Sequence, residues 1–384
     1  MPHGRTFDVR RQEDREEQNT MKHRTLITAA VAACLAGAPL APLSKPAHAV
    51  DFAGKTVEWI IPFGVGGGSD KWARFFAPLI GKALPGQPVV AVKNEPGGGS
   101  ITAANRFAAR AKPDGLTLIG TSGSTQFPYL LGDKRVTYEY KDWHIVLASP
   151  TGGVVYVSTA LGVKSARDIA KVKDRKLLYG SSGATSLDLV PILGFELIGL
   201  NVEPVFGIRS RGEARLGHER GELTIDYQTT SAYLSQVVPL VKDGKFVPLW
   251  SWGTLDADGN LARDPTVPDL PHFGEVYQMV TGKQPSGTAW NAWLAFFAAG
   301  FPGQKMAFLP KGTPKEIVEA YRAAMTKVFA DPDFKKASVK ALGAYPQFTG
   351  AAAEKTMARA IRIDKDDRDW VRNWLKTRFK VELK

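Results

Sequence analysis

The chain has 384 residues, of which 44% are hydrophobic and 23% charged, and its net charge is +12 at pH 7. This size and composition suit one large or two medium globular domains with full cores. No apolar run reaches the roughly 18 residues that a bilayer-spanning helix needs. The Lys and Arg residues are scattered and form no block with interleaved aromatic residues, so we expect no nucleic-acid partner. The positive field would favour small anions.

The first 49 residues are predicted to be dispensable for the fold. Met21 opens a basic Lys-His-Arg stretch, an apolar run follows at 26–40, and Ala-His-Ala stands at 47–49. These features together indicate a secretory signal peptide and export to the periplasm. The polar stretch before Met21 does not belong to such a signal, so Met21 rather than Met1 is interpreted as the start. Cys34, the single cysteine, is expected to leave with the signal; the alternative is a lipid anchor on its side chain.

After residue 49, apolar patterns of period two alternate with patterns of helical period. Strands are predicted at 57–62, 89–92, 116–120, 144–148, 154–158, 177–179, 222–226 and 246–252. Helices are predicted from 69 onward (kinked at Pro78), and at 103–111, 165–172, 187–198, 315–330, 333–342, 352–361 and 366–376. Residues 256–271 are predicted to be a loop. The alternation indicates an α/β fold built on parallel sheets.

Three glycine- and serine-rich clusters follow predicted strands, at 64–69, 121–125 and 180–186. Ligands of open α/β sheets bind beyond the carboxyl ends of the strands, so the three clusters should line one crevice. Glycine lets the backbone approach a ligand closely, and a phosphate or a carboxylate could accept hydrogen bonds from successive N–H groups. The helix that begins near Ser69 would add the positive end of its dipole.

Enzymatic interpretations fail on their motifs. The cluster at 64–69 lacks the third glycine of a dinucleotide fingerprint, and Lys93 and Asn94 stand where an acidic residue is needed. The segment 120–124 ends in serine rather than in the last glycine of a nucleophile elbow. His144, His218 and His272 have no metal-ligand spacing. We therefore expect no catalytic residue, no metal and no cofactor.

Four motifs stand in a fixed order along the chain. They are Pro-Phe-x-x-Gly-Gly-Gly-Ser-Asp-x-x-Ala-Arg at 62–74, Asn-x-Pro-Gly-x-Gly at 94–99 with Ala-x-Ala-Lys-Pro-Asp-Gly-x-Thr-Leu at 109–118, Gly-Ser-Ser-Gly-x-x-Ser at 180–186, and Leu-Pro-Lys-Gly-Thr-Pro at 309–314. This ordered set resembles the extracytoplasmic solute receptors of tripartite tricarboxylate transporters, often called Bug receptors. No single motif is diagnostic, but the order is specific.

The resemblance implies an α/β periplasmic binding protein of type II, with two lobes that close on a small carboxylate like a Venus flytrap. It implies a monomer that delivers its ligand to an integral membrane permease and performs no chemistry. Two hinge strands would cross near 147–157 and 247–253. Lobe 1 would comprise 50–148 and 252–384 with the C-terminal helices, and lobe 2 would comprise 149–251.

Family position also implies which residues bind the ligand. The predicted set is Phe63, Val65, Gly66, Gly67, Ser69, Asp70, Ser122, Ser124, Ser181, Ser182, Gly183, Thr185, Ser186, Arg211 and Asp226. The glycines could instead serve a tight turn alone, and the serines could instead cap helices. Asp226 would hold a ligand ammonium, orient a loop, or act as an ordinary cap.

Departures from the family pattern leave the ligand open between a dicarboxylate and an aromatic acid. Thr185 and Leu189 replace a glycine and a histidine, and Glu95 replaces an arginine. Arg209 or Arg211 could pair with a second carboxylate. Trp290 and Trp293 would form either an aromatic wall or part of the core. A secreted α/β-hydrolase and a receptor domain for a sensor kinase remain as alternative functions.

Overall fold

The computed structural model describes residues 50–256 and 259–383. The predicted signal peptide, with Met21 and Cys34, lies outside the described residues. Val50–Lys384 forms one compact unit. In the described part of the chain, no helix is both long enough and apolar enough to cross a membrane.

Strands and helices alternate along the first half of the described chain. The strands are β1 (Thr56–Ile61), β2 (Val89–Asn94), β3 (Thr117–Thr121), β4 (His144–Ser149), β5 (Gly153–Ser158), β6 (Leu177–Ser181), β7 (Val202–Phe206), β8 (Ile225–Thr229), β9 (Phe246–Ser251), β10 (Thr254–Leu255), β11 (Leu261–Ala262) and β12 (Lys305–Leu309). The longer helices are α1 (Gly68–Ala83), α2 (Ile101–Arg110), α3 (Gly123–Leu130), α4 (Leu189–Leu197), α5 (Arg211–Glu219), α6 (Phe273–Thr281), α7 (Thr288–Gly300), α8 (Lys315–Ala330), α9 (Pro332–Leu342), α10 (Gly350–Ala360) and α11 (Lys365–Phe379). Short helical segments lie at Gly98–Ser100, Tyr140–Asp142, Thr159–Leu161, Ala166–Val172, Thr230–Ala232, Tyr233–Val237 and Val238–Lys242.

The main sheet has five strands in the order β2-β1-β3-β12-β4. β1 pairs in parallel with β2 and β3, whereas β12 runs antiparallel to β3 and β4. The predicted parallel pairing is therefore present in β2, β1 and β3, and β12 adds an antiparallel strand that the sequence did not predict. Because β12 runs the opposite way, its first residue, Lys305, lies at the edge where β1 and β3 end. That edge is where open α/β sheets bind ligands.

A second sheet contains β8, β5 and β9, all antiparallel, and β6 pairs with β7 in a parallel ribbon. The chain passes from the main sheet to this sheet at 150–152, between β4 and β5, and it leaves β9 after Ser251. The predicted strand at 222–226 is shifted, since β8 begins at Ile225, so Asp226 lies inside the strand rather than after it. The lobe boundaries themselves stay a prediction.

Separate apolar cores flank the two sheets. Trp59, Trp72 and Phe76 pack against one face of the main sheet. The other large core surrounds β5, β6, β8 and β9 and includes Trp290 and Trp293 of α7. Trp293 is fully buried and its ring N–H donates to the Val190 carbonyl at 3.1 Å. The core interpretation of these two tryptophans is confirmed, because neither lines a cavity with the glycine clusters.

Candidate functional site

A cavity of about 670 Å³ lies where the predicted glycine and serine clusters meet. All three clusters contribute to its wall, together with the second glycine-rich loop at 96–100 and the start of β12. Its polar and glycine lining includes Gly67, Gly68, Ser69, Ser122, Ser124, Ser182, Ser186, Asp188, Arg209, Arg211, Thr229, Gln304 and Lys305. The convergence of three clusters on one crevice is therefore present in the fold.

The first cluster is a turn closed by its own aspartate. Gly66 has φ of 82°, a left-handed conformation that favours glycine. Its N–H donates to the Asp70 carboxylate at 2.9 Å, and Arg74 donates to the same carboxylate at 2.9 Å. Asp70 is thus buried inside the protein, and Val65, with 70% of its surface exposed, points away from the cavity lining.

This turn leaves backbone donors free at the start of α1. Gly67 is the N-cap residue, and no side chain caps the helix. Among the described residues, no acceptor takes the N–H groups of Gly68, Ser69 or Asp70. The first N–H groups of a helix carry partial positive charge and readily bind anions. The opening of α1 can therefore accept a carboxylate.

The second cluster uses its serines for structure as well. The Ser122 hydroxyl caps α3 by accepting the Ser124 N–H at 3.3 Å, and Thr125 completes a capping box. The Ser124 hydroxyl accepts the N–H of Leu187 at 3.0 Å, which joins the second cluster to the third. Ser122 therefore caps a helix, as the alternative interpretation predicted. Ser122 and Ser124 also line the cavity.

In the third cluster, an internal carboxylate already takes the donors that a ligand was expected to use. Asp188, only 1% exposed, accepts the Ser182 N–H at 2.8 Å and the Ser181 hydroxyl at 3.1 Å. Gly183 donates its N–H to the Ser181 hydroxyl at 3.1 Å. Sequence reasoning did not single out Asp188, although it follows the last serine of the motif by only two residues.

Arg211 is held between two buried carboxylates. Its guanidinium pairs with Asp226 and lies 3.3 Å from Asp188. The rings of Tyr179 and Tyr227 contact it at 4.9 and 4.6 Å, distances that suit cation–π attraction. Its charge is compensated within the protein. A ligand that bound directly to Arg211 or Asp226, as predicted, would have to replace these partners.

Lys305 is the residue that sequence reasoning missed. Its side chain is 3% exposed, lines the cavity, and donates one hydrogen bond, to the Gln304 amide oxygen at 2.6 Å. Among the described residues, no carboxylate forms an ion pair with it. A buried ammonium is costly unless it is paired, which makes an unpaired one beside a cavity informative. The only sequence signal was one lysine in an apolar stretch, Lys305–Leu309.

Burial lowers the pKa of Lys305 from 10.5 to about 7. Between pH 7 and 10 the unfolded chain therefore holds more protons at this lysine than the folded protein. The free energy of unfolding of the unliganded protein should consequently rise with pH across this window, by up to about 1.4 kcal/mol per pH unit. Urea unfolding at pH 7, 8 and 9 measures the rise, and Lys305→Met should lack it. Equal slopes in the two proteins would contradict the assignment.

The predicted site residues divide into two groups. Those in the cavity lining are Phe63, Gly67, Ser69, Ser122, Ser124, Ser182, Ser186 and Arg211. Those outside the lining are Val65, Gly66, Asp70, Ser181, Gly183, Thr185 and Asp226. Some of the second group position members of the first: Asp70 holds the turn before Gly67 through the Gly66 N–H, and Asp226 pairs with Arg211. Over 50–256 and 259–383, no group of three or more His, Cys, Asp or Glu is arranged to hold a metal.

Three solved structures share this fold. The periplasmic binding protein BugD has a TM-score of 0.59 and 19% identity, covering 84% of this chain and 97% of its own. A Rhodopseudomonas palustris protein with bound malate, MatC, has a TM-score of 0.58 and 21% identity, covering 82% and 98%. A second R. palustris protein, with adipate, has a TM-score of 0.63 and 19% identity, covering 83% and 99%. The fold is thus the two-lobed α/β fold of type II periplasmic binding proteins.

The sequence comparisons agree with the fold. A UPF0065 protein of Bordetella pertussis is 30% identical over 308 residues, which are 76% of this chain and 81% of that protein. The model of the tripartite tricarboxylate transporter family receptor matches residues 73–348. With a cavity lined by the family's own motifs and a match over most of the described chain, this protein belongs to the tripartite tricarboxylate transporter receptor family, a family of periplasmic solute-binding receptors.

Proposed function

We propose that this protein captures a small organic carboxylate in the periplasm and delivers it to a membrane permease. The observation that carries the proposal is the surplus of free donors around the cavity. Among the described residues, no carboxylate pairs with the N–H groups at the start of α1, with the Lys305 ammonium or with the exposed guanidinium of Arg209. The lining carboxylate of Asp188 is already saturated by donors of its own lobe.

Among carboxylates, the lining favours a short polar dicarboxylate over an aromatic acid. Phe63 is the one aromatic side chain in the cavity wall, and the remainder is mostly glycine, serine and charged residues. Arg209 lines the cavity and its guanidinium has no ion-pair partner among the described residues, so it is the candidate for a second carboxylate. The related folds that hold malate and adipate support this ligand class.

Delivery to a permease and a periplasmic location rest on family membership and on the predicted signal peptide. A ligand that binds the closed form better than the open form would shift the balance between them, and the permease would recognise the closed form. Vesicles carrying the membrane subunits of a tripartite tricarboxylate transporter from the same organism should take up the acid only when this receptor is added. A neighbouring sensor kinase gene and no uptake would favour the sensing alternative.

The ligand class is tested by a thermal-shift screen against C3 to C8 mono- and dicarboxylates, with malate and adipate included. A ligand present at 100 times its Kd should add about 2.7 kcal/mol to the free energy of unfolding. Neutral diamides of the same chain lengths serve as controls and should give no shift. If no acid shifted the melting temperature while an ester was hydrolysed, the receptor proposal would fail and the hydrolase alternative would stand.

A further inference from the structure

Resting on the proposed function, we infer that Lys305 is the specificity-determining residue of the site. It would form, with Thr229 and the free N–H groups of Gly68 and Ser69, a subsite that accepts only an ionised carboxylate and couples its binding to proton uptake. Nothing in the four family-like motifs points to Lys305, which lies before the last of them.

The side chains of Thr229 and Lys305 both lie close to Gly68. A Cβ atom built on Gly68 would lie 2.5 Å from the Thr229 hydroxyl oxygen and 3.5 Å from the Lys305 ammonium nitrogen. Because Gly68 has no side chain, a hydroxyl and an ammonium can lie close to the start of α1 in the wall of the cavity. A carboxylate oxygen is the group that can accept hydrogen bonds from all of them at once.

These donors have capacity to spare. An ammonium has three donors, and Lys305 uses one of them on Gln304. Thr229 is 4% exposed, and its hydroxyl has no hydrogen-bond partner among the described residues. The Ser231 hydroxyl oxygen, which would lie 3.7 Å from the same Cβ atom, is buried and also has no partner among the described residues. Buried polar groups are normally satisfied, so a ligand in the cavity would meet hydroxyls with unused hydrogen-bonding capacity. This second observation is independent of the helix start.

The other charged groups around the cavity are engaged elsewhere or exposed. Asp70 pairs with Arg74, Lys71 donates to the Ser235 hydroxyl at 3.1 Å, Asp188 and Asp226 pair with Arg211, and Arg209 is exposed. Burial alone lowers the pKa of Lys305 to about 7, and no neighbouring charge contributes. A bound carboxylate would favour the charged ammonium and raise that pKa. At pH 8, where the empty site is mostly neutral, binding should therefore take up close to one proton.

The decisive variant is Lys305→Met, which removes the charge and keeps an unbranched side chain in the buried position. The matched control is Lys311→Met, which makes the same change in net charge at a residue that is exposed and pairs with Asp142. Circular dichroism and melting temperature establish that both variants fold. Titration calorimetry then uses the acid identified in the screen, malate or adipate if either binds, and its neutral diamide.

At pH 7 we expect Kd of Lys305→Met for the acid to rise about 10- to 100-fold, the effect of a lost charged hydrogen bond. Lys311→Met should bind as the wild type does. At pH 8, titrations in HEPES and in Tris, which differ in ionisation enthalpy, should report uptake of close to one proton for the wild type and for Lys311→Met. Lys305→Met should take up none.

Each outcome has one meaning. If the wild type binds an acid and Lys305→Met binds it equally well, or if the wild type takes up no proton at pH 8, Lys305 is not the determinant although the receptor function stands. If the wild type binds no acid at all, the proposed function fails and this inference fails with it.

Discussion

Gly68→Ala should raise Kd for the carboxylate ligand at least about 100-fold while leaving the protein folded. The new methyl group would lie 2.5 Å from the Thr229 hydroxyl oxygen and 3.5 Å from the Lys305 ammonium nitrogen, so it would displace donors that the carboxylate needs. Thr229 is a stiff β-branched residue at the end of β8, so it cannot move aside cheaply. The crowding cost, about 1–3 kcal/mol, is partly offset because alanine is a better helix residue than glycine. Titration calorimetry measures Kd, and urea unfolding checks the fold.

Gly212→Ala is the matched control, since Gly212 also lies in the first turn of a helix, α5, and is outside the cavity lining. A Cβ atom there would meet nothing closer than 3.6 Å. Wild-type affinity is expected for this variant. If Gly68→Ala kept wild-type affinity as well, the anion would have to bind away from the start of α1.

Arg211→Met should destabilise the protein by about 3–5 kcal/mol, because it would leave two carboxylates buried without their cation. Asp188 and Asp226 are 1% and 0% exposed, and Arg211 is the basic residue that pairs with both. The loss would also remove the contacts of its guanidinium with the rings of Tyr179 and Tyr227. The free energy of unfolding in urea at pH 7 measures the effect.

Arg220→Met provides the comparison for this loss. Arg220 pairs with Glu222 on the surface, with more than half of each side chain exposed, and such pairs contribute little to stability. The measurement also decides what Arg211 does. If Arg211→Met unfolds at the same urea concentration as the wild type but no longer binds the acid, Arg211 contacts the ligand directly, as the motif suggested.

The secondary structure around the first glycine cluster was predictable, whereas α3, α5 and β12, which also border the site, were not predicted. Four of the five residues of Val57–Ile61 are buried, a glycine run follows, and α1 begins at Gly68 within one residue of the predicted start. These features depend on local periodicity and on glycine's backbone freedom, which the sequence displays directly. The missed strand β12 was harder, because five buried residues between a helix and a proline have no diagnostic period.

The roles of individual side chains were less predictable. Ser181 and Ser182 stand in a motif that suggests ligand contact, yet the motif cannot show that Asp188 turns back to take their donors. Asp226 and Arg211 were each predicted to pair with a charged group of the ligand, but in the fold they pair with each other. Whether a charged group faces a ligand or a neighbour depends on residues distant in sequence, and pairing decides which groups remain free.

The sequence by itself determined the α/β class and the glycine turns that expose backbone donors, because these follow from local pattern and conformational freedom. Its ordered motifs also carried the resemblance to the family. Only the tertiary structure decided which charges are left unpaired at the cavity. It brings Lys305 to the start of α1 by running β12 antiparallel to β3, and it neutralises Arg211 within the protein. Burial makes each of those placements energetically significant, and burial is a property of the assembled chain rather than of any segment.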